Sequence, residues 1–462
     1  MGTPRRPHLV LGATVRTLGA WPSGWRQPGA HRNPYDDPAV LARTARAAEA
    51  AGLQFLFFGD WLATAAEYEH SDPYLLARLE PLAAAGYLAA ITERIGLIAT
   101  VNSSHTESYS VARSSASIDI LSGGRFGLSV ASGSETRTAS NFGWDRVHSD
   151  EDRVAASLEF IEILRGLWDS WEEGAFVGDA ESGQLIDPAK IHPLGYVGTH
   201  RSAAGPLNVL RPPQGHPPIA VVSAAPATRD LAAREADISF VSPRTRAEAI
   251  EAYATAKRDA TAAGRDPDEF LVITPVLPVV AASREQAWEV YDRLVQSVPV
   301  ETAAGVIPVD RLPANRTLRS LAGVLGVPLN GVLIEEVVPA RLAARFSALG
   351  QQLLEVVRER SGRTIGGLRG VTFRHLLVAQ VVAAPVIVGS PEDIADHFED
   401  WFTAGAVDGF TVLTAYLDEQ FEAFTTLVVP ELRRRGLFPA EYTGHTLREN
   451  LGLAVPANSF AP

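Results

Sequence analysis

A (β/α)8 barrel with insertions is the fold this sequence predicts, and three observations predict it. Through the first 280 residues, short β-rich runs alternate with longer amphipathic segments, the pattern of βα units on a parallel sheet. Several of those runs end in small hydroxylic or polar residues, as strands do when they deliver ligand contacts to the C-terminal face of a barrel. The length of 462 residues also suits one barrel carrying insertions, although it equals about three average domains. A doubly wound open sheet shares the alternation and is the competing fold.

Taken in order, His8–Val15 reads as the first strand and Pro38–Ala51 as the helix that follows, closed by Gly52. Phe55–Asp60 is the second strand, Pro81–Thr92 a helix, and Ile95–Val101 the third strand. Ser110–Leu121 is a helix stopped by Gly123-Gly124, and Phe126–Ala131 is the fourth strand. Glu151–Trp171 is a long helix with Leu158, Ile161, Leu164 and Trp168 on one face. Glu172–Pro218 then loses periodicity and is rich in Gly, Pro and His, which marks an excursion.

Strands resume at Ile219–Ser223, Ile238–Val241 and Phe270–Val280, with helices near Ala227–Glu235, Thr245–Ala263 and Arg284–Val298. Glu301–Arg369 is irregular apart from pieces such as a helix at Ala340–Arg360, so a second insertion is expected there. Strand Val386–Gly389, helix Pro391–Gly405, strand Gly409–Thr414 and helix Glu419–Arg435 complete a count of roughly eight strands. The whole chain, 1–462, is expected to form a single barrel domain with insertions at about 172–218 and 301–369. The insertions are expected to shape the pocket mouth.

Composition narrows the chemistry. The chain has no cysteine, so thiol nucleophiles, thiolate metal sites and disulfides are excluded. Its formal charge of −13 and scattered arginines argue against a nucleic-acid backbone as partner. No apolar run reaches the ~20 residues of a membrane span, and no signal-peptide core stands at the N-terminus, so a cytoplasmic location is expected. The strand ends carry Asp60-Trp61, Asn102-Ser103-Ser104-His105, Ser132-Gly133-Ser134-Glu135 and Ser223. Such groups hydrogen-bond ligands well but are weak acids and bases, so the hard chemistry is expected to come from a cofactor.

His105 and His148 are the candidate catalytic bases; a loop histidine among the carboxylates Asp145, Asp150 and Asp152 is the plainer reading of His148. No metal-ligand set is legible among the eleven histidines. Gly123-Gly124-Arg125 reads as a helix C-cap and turn, with a phosphate nest as the alternative. Trp21, Trp25, Trp61 and Trp144 fall in loops at the strand-end face and are candidates to wall an apolar pocket for a small, apolar or aromatic substrate.

Five segments, in order along nearly the whole chain, resemble the bacterial luciferase-like flavin monooxygenases. They are LSGGR (Leu121–Arg125), SNFGW (Ser140–Trp144), GPLNVLRPPQGHPPI (Gly205–Ile219), VGSPEDIADHFEDWFTAGAVDGF (Val388–Phe410) and VVPELRRRGL (Val428–Leu437). Within that family the likeness is to the group containing nitrilotriacetate monooxygenase, the pristinamycin IIA synthase large subunit and dibenzothiophene-sulfone monooxygenase. The resemblance implies a dimeric or tetrameric barrel that receives reduced FMN from a separate flavin reductase and uses O2 to oxygenate a small molecule.

By the same resemblance, Asp60 would lie beside the flavin ring, and Asn102, Ser103, Ser104 and Ser132 would be further flavin contacts. Gly133 stands where the family has a serine. Asp150 and Val154 stand where it has a histidine and a tyrosine near the flavin phosphate. Val221–Thr228 replaces a Gln-Ala-Gly-Ser-Ser-x-x-Gly phosphate segment. Pro226 removes an N–H, Ala225 a hydroxyl, and Asp150 adds negative charge, all unfavourable to a phosphate dianion. Ser223 and Arg229 are the expected compensating partners. Two further readings stay open: a barrel enzyme without flavin, either a cofactor-free oxygenase or a non-redox isomerase or cyclase, and a catalytically silent binding or partner subunit.

Overall fold

The computed structural model describes residues 6–66, 68, 72–223, 225–243, 245–298, 317–382 and 385–461. Its central sheet contains β1 (Val10–Thr14), β2 (Phe55–Phe58), β3 (Gly96–Asn102), β4 (Phe126–Ala131), β5 (Ile219–Val222), β6 (Ile238–Phe240), β7 (Leu271–Val280), β8 (Val386–Gly389) and β9 (Gly409–Leu413). All pairings in this sheet are parallel. β1 through β7 pair in sequence order, and β9 lies between β7 and β1, so eight strands close a barrel. The barrel expectation holds, and the open-sheet alternative falls.

β8 is the departure. The ten-residue β7 pairs with β9 over Ile273–Val276, then leaves it and pairs with β8 over Leu277–Val280. β8 is therefore a flanking strand and not a stave of the barrel.

Helices α1 (Asp37–Ala50), α2 (Pro81–Ala89), α3 (Ser108–Ser122), α4 (Asp150–Trp168), α5 (Pro226–Glu235) and α6 (Arg246–Ala262) follow the first six strands, and α7 (Arg284–Ser297) follows β7. Helix starts are set by hydroxyl caps: Ser149, Thr245 and Ser283 accept from the backbone N–H three residues on. Gly123, at φ +67°, ends α3, and Arg125 is buried with its guanidinium on the carbonyls of Ile95, Ala89 and Thr92. The Gly-Gly-Arg run is thus a C-cap at the N-terminal end of β4.

One core lies between the strands and the helix layer; a second lies inside the barrel. Inside, Phe55, Ile98, Ile238 and Leu271 meet Leu447 and Leu451 of a C-terminal helix, Leu447–Leu451, which plugs the N-terminal mouth. Two glycines make room for it. A Cβ on Gly96 would stand 2.4 Å from Leu447 Cδ1, and one on Gly127 3.0 Å from its Cδ2.

The excursion at 172–218 forms two small hairpins, Phe176–Asp179 with Gln184–Ile186 and Tyr196–Val197 with Ser202–Ala203. The first part of the second insertion, 301–316, lies outside the described residues. The rest adds α8 (Thr317–Leu325) and α9 (Ala348–Ser361); α10 (Phe373–Val381) follows the insertion, and α11 (Pro391–Thr403) comes after β8 as expected. The single helix expected at Ala340–Arg360 is divided, because Ser347 stops one turn and caps α9 through Gly350 N–H. Of these helices, α8, α9 and α10 build a third core against α7 that includes Leu294, Leu325, Phe373 and Leu376, whereas α11 packs on the main core through Ile394, Phe398 and Phe402. Among the described residues, no helix is long and apolar enough to cross a membrane.

Candidate active site

Two adjoining cavities open at the C-terminal ends of the strands. The larger, about 230 Å³, has an apolar floor of Val222, Phe240, Pro275 and Leu413, and Thr14, Asp60 and Trp61 stand among its polar-bearing walls. The smaller, about 140 Å³, has Thr100, Asn102, Ser132, Glu135 and Thr138 in its lining, together with the apolar Leu62 and Ala131. Asp60 and Trp61 line both, so they form the partition between them.

Asp60 sits where β2 ends. Its Oδ1 accepts from Trp61 N–H at 2.8 Å, and Arg78 Nε stands 3.7 Å away. Burial raises the Asp60 pKa, only partly opposed by that N–H and the guanidinium. Arg78 also donates to the carbonyls of Trp61 and Tyr74. Its guanidinium lies 5.6 Å from the Tyr74 ring, and Arg16, paired with Asp72 at 2.7 Å, lies 5.5 Å from the same ring. Burial pushes the Tyr74 phenol up to about 12, so it stays protonated. Sequence reasoning missed Arg16, Tyr74 and Arg78, all of which line the larger cavity.

The ends of β3 and β4 are knitted by Asn102, whose Oδ1 accepts from Ser104 N–H at 3.1 Å and Gly133 N–H at 3.0 Å. Gly133 is required by this packing: a Cβ there would stand 2.7 Å from Asn102 Nδ2 and 3.0 Å from His105 Nε2. Ser103 turns away from the cavities. It is buried and donates to Ala131 C=O while sharing a hydrogen bond with Ser157. Arg201 of the second hairpin braces this loop from outside through the carbonyls of Ser103 and Thr106. Neither insertion lines either cavity among the described residues, contrary to expectation.

His105 stacks on Phe142 with ring centroids 4.3 Å apart and meets Trp144 at 4.6 Å. Desolvation lowers its pKa, and its Nδ1 is buried without a partner. His148 touches the edge of Trp144 at 4.9 Å and is exposed, one ring farther out than His105. Thr100 Oγ1 and Ser129 Oγ are also buried and unpartnered, hydroxyls of β3 and β4 in the region of the smaller cavity.

The expected phosphate partners lie elsewhere. Ser223 is buried and shares a 2.7 Å hydrogen bond with Ser239. Strand parity explains it: Val222 faces the mouth, so Ser223 faces the helix layer. Arg229 is exposed in a groove between α5 and α6, with Asp230 and Asp259. Asp150 is held at 2.5 Å by Arg153, a fourth residue that sequence reasoning missed, whose Nη1 also reaches the carbonyls of Ser132 and Gly133.

Of the four tryptophans, Trp61 lines the cavities and Trp144 packs on His105. Trp21 is fully buried in the third core, donating to Leu294 C=O at 2.9 Å and meeting Tyr291 edge-on. Trp25 lies in a short 3-10 turn, Gly24–Arg26, away from both cavities. The aromatic wall is therefore smaller than expected and partly replaced by guanidinium.

Residues 20–408 match the family model described as luciferase-like monooxygenase. The chain is 33% identical over 461 residues to N-acetyl-S-(2-succino)cysteine monooxygenase of Bacillus subtilis, covering 99% of this chain and 100% of the relative. It is 35% identical over 465 residues to nitrilotriacetate monooxygenase component A of Aminobacter aminovorans, covering 98% of each. Among solved structures, EDTA monooxygenase from Chelativorans sp. BNC1 superposes with a TM-score of 0.74 at 25% identity, covering 96% of this chain and 98% of that one.

Proposed function

The chain belongs to the luciferase-like monooxygenase family, and from that premise we propose that it is a two-component monooxygenase using reduced FMN and O2 on a small organic molecule, the FMN supplied by a separate reductase. The observation that carries this reading is the pair of cavities: an apolar floor and a hydroxyl rim, with no thiol in the chain to act as nucleophile. A flat ring system fits the floor, and a polyol fits the rim, where Thr100 Oγ1 still lacks a partner. Reduced flavin, when bound, supplies the electrons that activate O2.

The protein's own residues bind and orient. Val222, Phe240, Pro275 and Leu413 would hold the ring and keep water from it. Asp60 and Trp61 fix the ring at the partition, with Arg78 holding Asp60 in place. Asn102 and Ser132 meet the polyol. His105, whose pKa desolvation lowers, has its Nε2 beside Gly133 of the smaller cavity and is the group that would exchange a proton there. Ser103 and Ser223 play no direct part, since their hydroxyls are bonded away from the mouth.

For the substrate, Arg16 and Arg78 beside Tyr74 and Leu75 favour a molecule with a carboxylate on a small apolar body over a wholly apolar one. The names of the relatives acting on nitrilotriacetate and N-acetyl-S-(2-succino)cysteine lend the same support. Anaerobic titration with reduced FMN, followed by oxygenated turnover of carboxylated thioethers and amines with a reductase, tests the proposal. Saturable binding and isotope from 18O2 in the product are expected. Failure to bind reduced flavin, or product formed without flavin, overturns it.

A further inference from the structure

A flavin on the apolar floor would send its phosphate-bearing chain either past Val222 or into the smaller cavity, and among the described residues both exits are hostile to a dianion. One exit runs past Val222 to the N-terminus of α5. There Pro226 has no N–H, and the Thr228 hydroxyl is engaged with Ala225, accepting from its N–H at 3.1 Å and donating to its C=O at 3.0 Å. Ser223 is bonded to Ser239, and Arg229 lies in the outer groove. Ala224 lies outside the described residues.

The other exit is the smaller cavity. Its lining carries two carboxylates, Asp60 and Glu135, and no Lys or Arg among the described residues. Arg153 stands behind it, but Nη1 holds the carbonyls of Ser132 and Gly133 and Nη2 holds Asp150, which leaves one buried N–H, at Nε, without a partner. A phosphate dianion needs several convergent donors, usually a helix N-terminus with hydroxyls or free guanidinium. Among the described residues neither exit supplies them. Arg16 and Arg78, which line the larger cavity, are engaged with Asp72 and with Asp60 and the carbonyls of Trp61 and Tyr74. The floor and the hydroxyl rim, by contrast, suit the uncharged parts of the same molecule.

We infer that this site recognises its flavin through ring and polyol, with the phosphate contributing little, so that riboflavin binds nearly as well as FMN. The inference rests on the proposed flavin reading and sharpens it to a cofactor class, phosphorylated or not. Equilibrium dialysis under anaerobic conditions, with reduced FMN and reduced riboflavin against the whole protein, measures it without turnover. The expected dissociation constants lie within about tenfold of each other, the range left when charge-assisted contacts are missing. Raising KCl from about 50 to about 500 mM leaves the ratio unchanged or moves it toward FMN, because salt screens repulsion by Asp60 and Glu135.

A preference for FMN above about tenfold that declines with salt would reveal a cationic phosphate clamp and overturn the inference while keeping the flavin reading. Failure of both flavins to bind overturns the flavin reading and this inference together. Arg244, outside the described residues and close in sequence to β6, supplies the remaining check. Arg244→Ala should weaken both flavins equally or neither; a selective loss of FMN affinity also overturns the inference.

Discussion

The two mouths of the barrel are built on opposite principles. At the N-terminal mouth, Leu447 and Leu451 fill the lumen, and most polar groups around them are paired, although Asn450 Nδ2 of the same helix is buried without a partner. Arg448 donates to His216 C=O and Ala454 C=O and faces Asp237 at 3.3 Å, while Gln214 bridges Asp119, Phe126 C=O and Arg448 N–H. At the C-terminal mouth the lumen is open, Val222 is 45% exposed, and Thr100, Ser129, Trp61 and His105 each bury a polar atom with no partner. Unpartnered buried groups cost stability and are retained where a ligand completes them. The contrast separates what holds the barrel shut from what the barrel is open for.

The contrast is tested hardest at the plug. Leu447→Ala empties space between Gly96 and Gly127 and should destabilise the protein by about 2–5 kcal/mol, read by chemical denaturation. The folded fraction should bind flavin as before. A stability loss within experimental error, or a plug variant that stays folded but loses flavin, would break the division between the mouths.

Next in size, His105→Ala at the open mouth should lower turnover by about 100-fold, roughly 2.7 kcal/mol in the barrier, with little change in denaturation midpoint. Retained activity would remove His105 from the proton-handling role and leave it as a stacking partner of Phe142. Smaller again is Gly133→Ala. The added Cβ must displace Asn102 and His105, costing about 1–3 kcal/mol of strain and shifting the affinity for flavin. If affinity and stability are both untouched, the close packing of the β3 and β4 ends is not a constraint.

Much of the sealed part was legible in the sequence, and much of the open part was not. Alternating runs located all nine strands of the sheet, because buried parallel strands leave continuous apolar stretches. They did not reveal that β8 is a flanking strand, since Leu271–Val280 reads as one uninterrupted run and its change of partner is a tertiary event. Trp21 read as a mouth residue because its burial depends on Leu294, 273 positions away. Arg78 carried no signal either: a buried arginine is recognisable only once Asp60 and the Trp61 carbonyl surround it. Ser223 was hidden in the same way: Ile219–Val222 is apolar throughout, so only the folded strand, with Ala220 and Val222 facing the lumen, assigns Ser223 to the outer face.

The last expected effect lies outside both mouths and provides their control. His397 on α11 is packed with Trp401 at 4.8 Å and with Phe398 and Phe410, and burial holds its pKa down at about 4. The sign follows from linkage: a histidine depressed below its unfolded value of about 6.5 binds protons more readily when unfolded. Its contribution to stability is therefore complete above pH about 6.5 and is lost as pH falls toward about 4. His397→Phe should flatten that acid limb in denaturation curves while leaving flavin affinity unchanged across the same range. An unaltered limb would assign the acid sensitivity to the carboxylates of the barrel instead, with Asp237, held below the usual range beside Arg448, the first to examine.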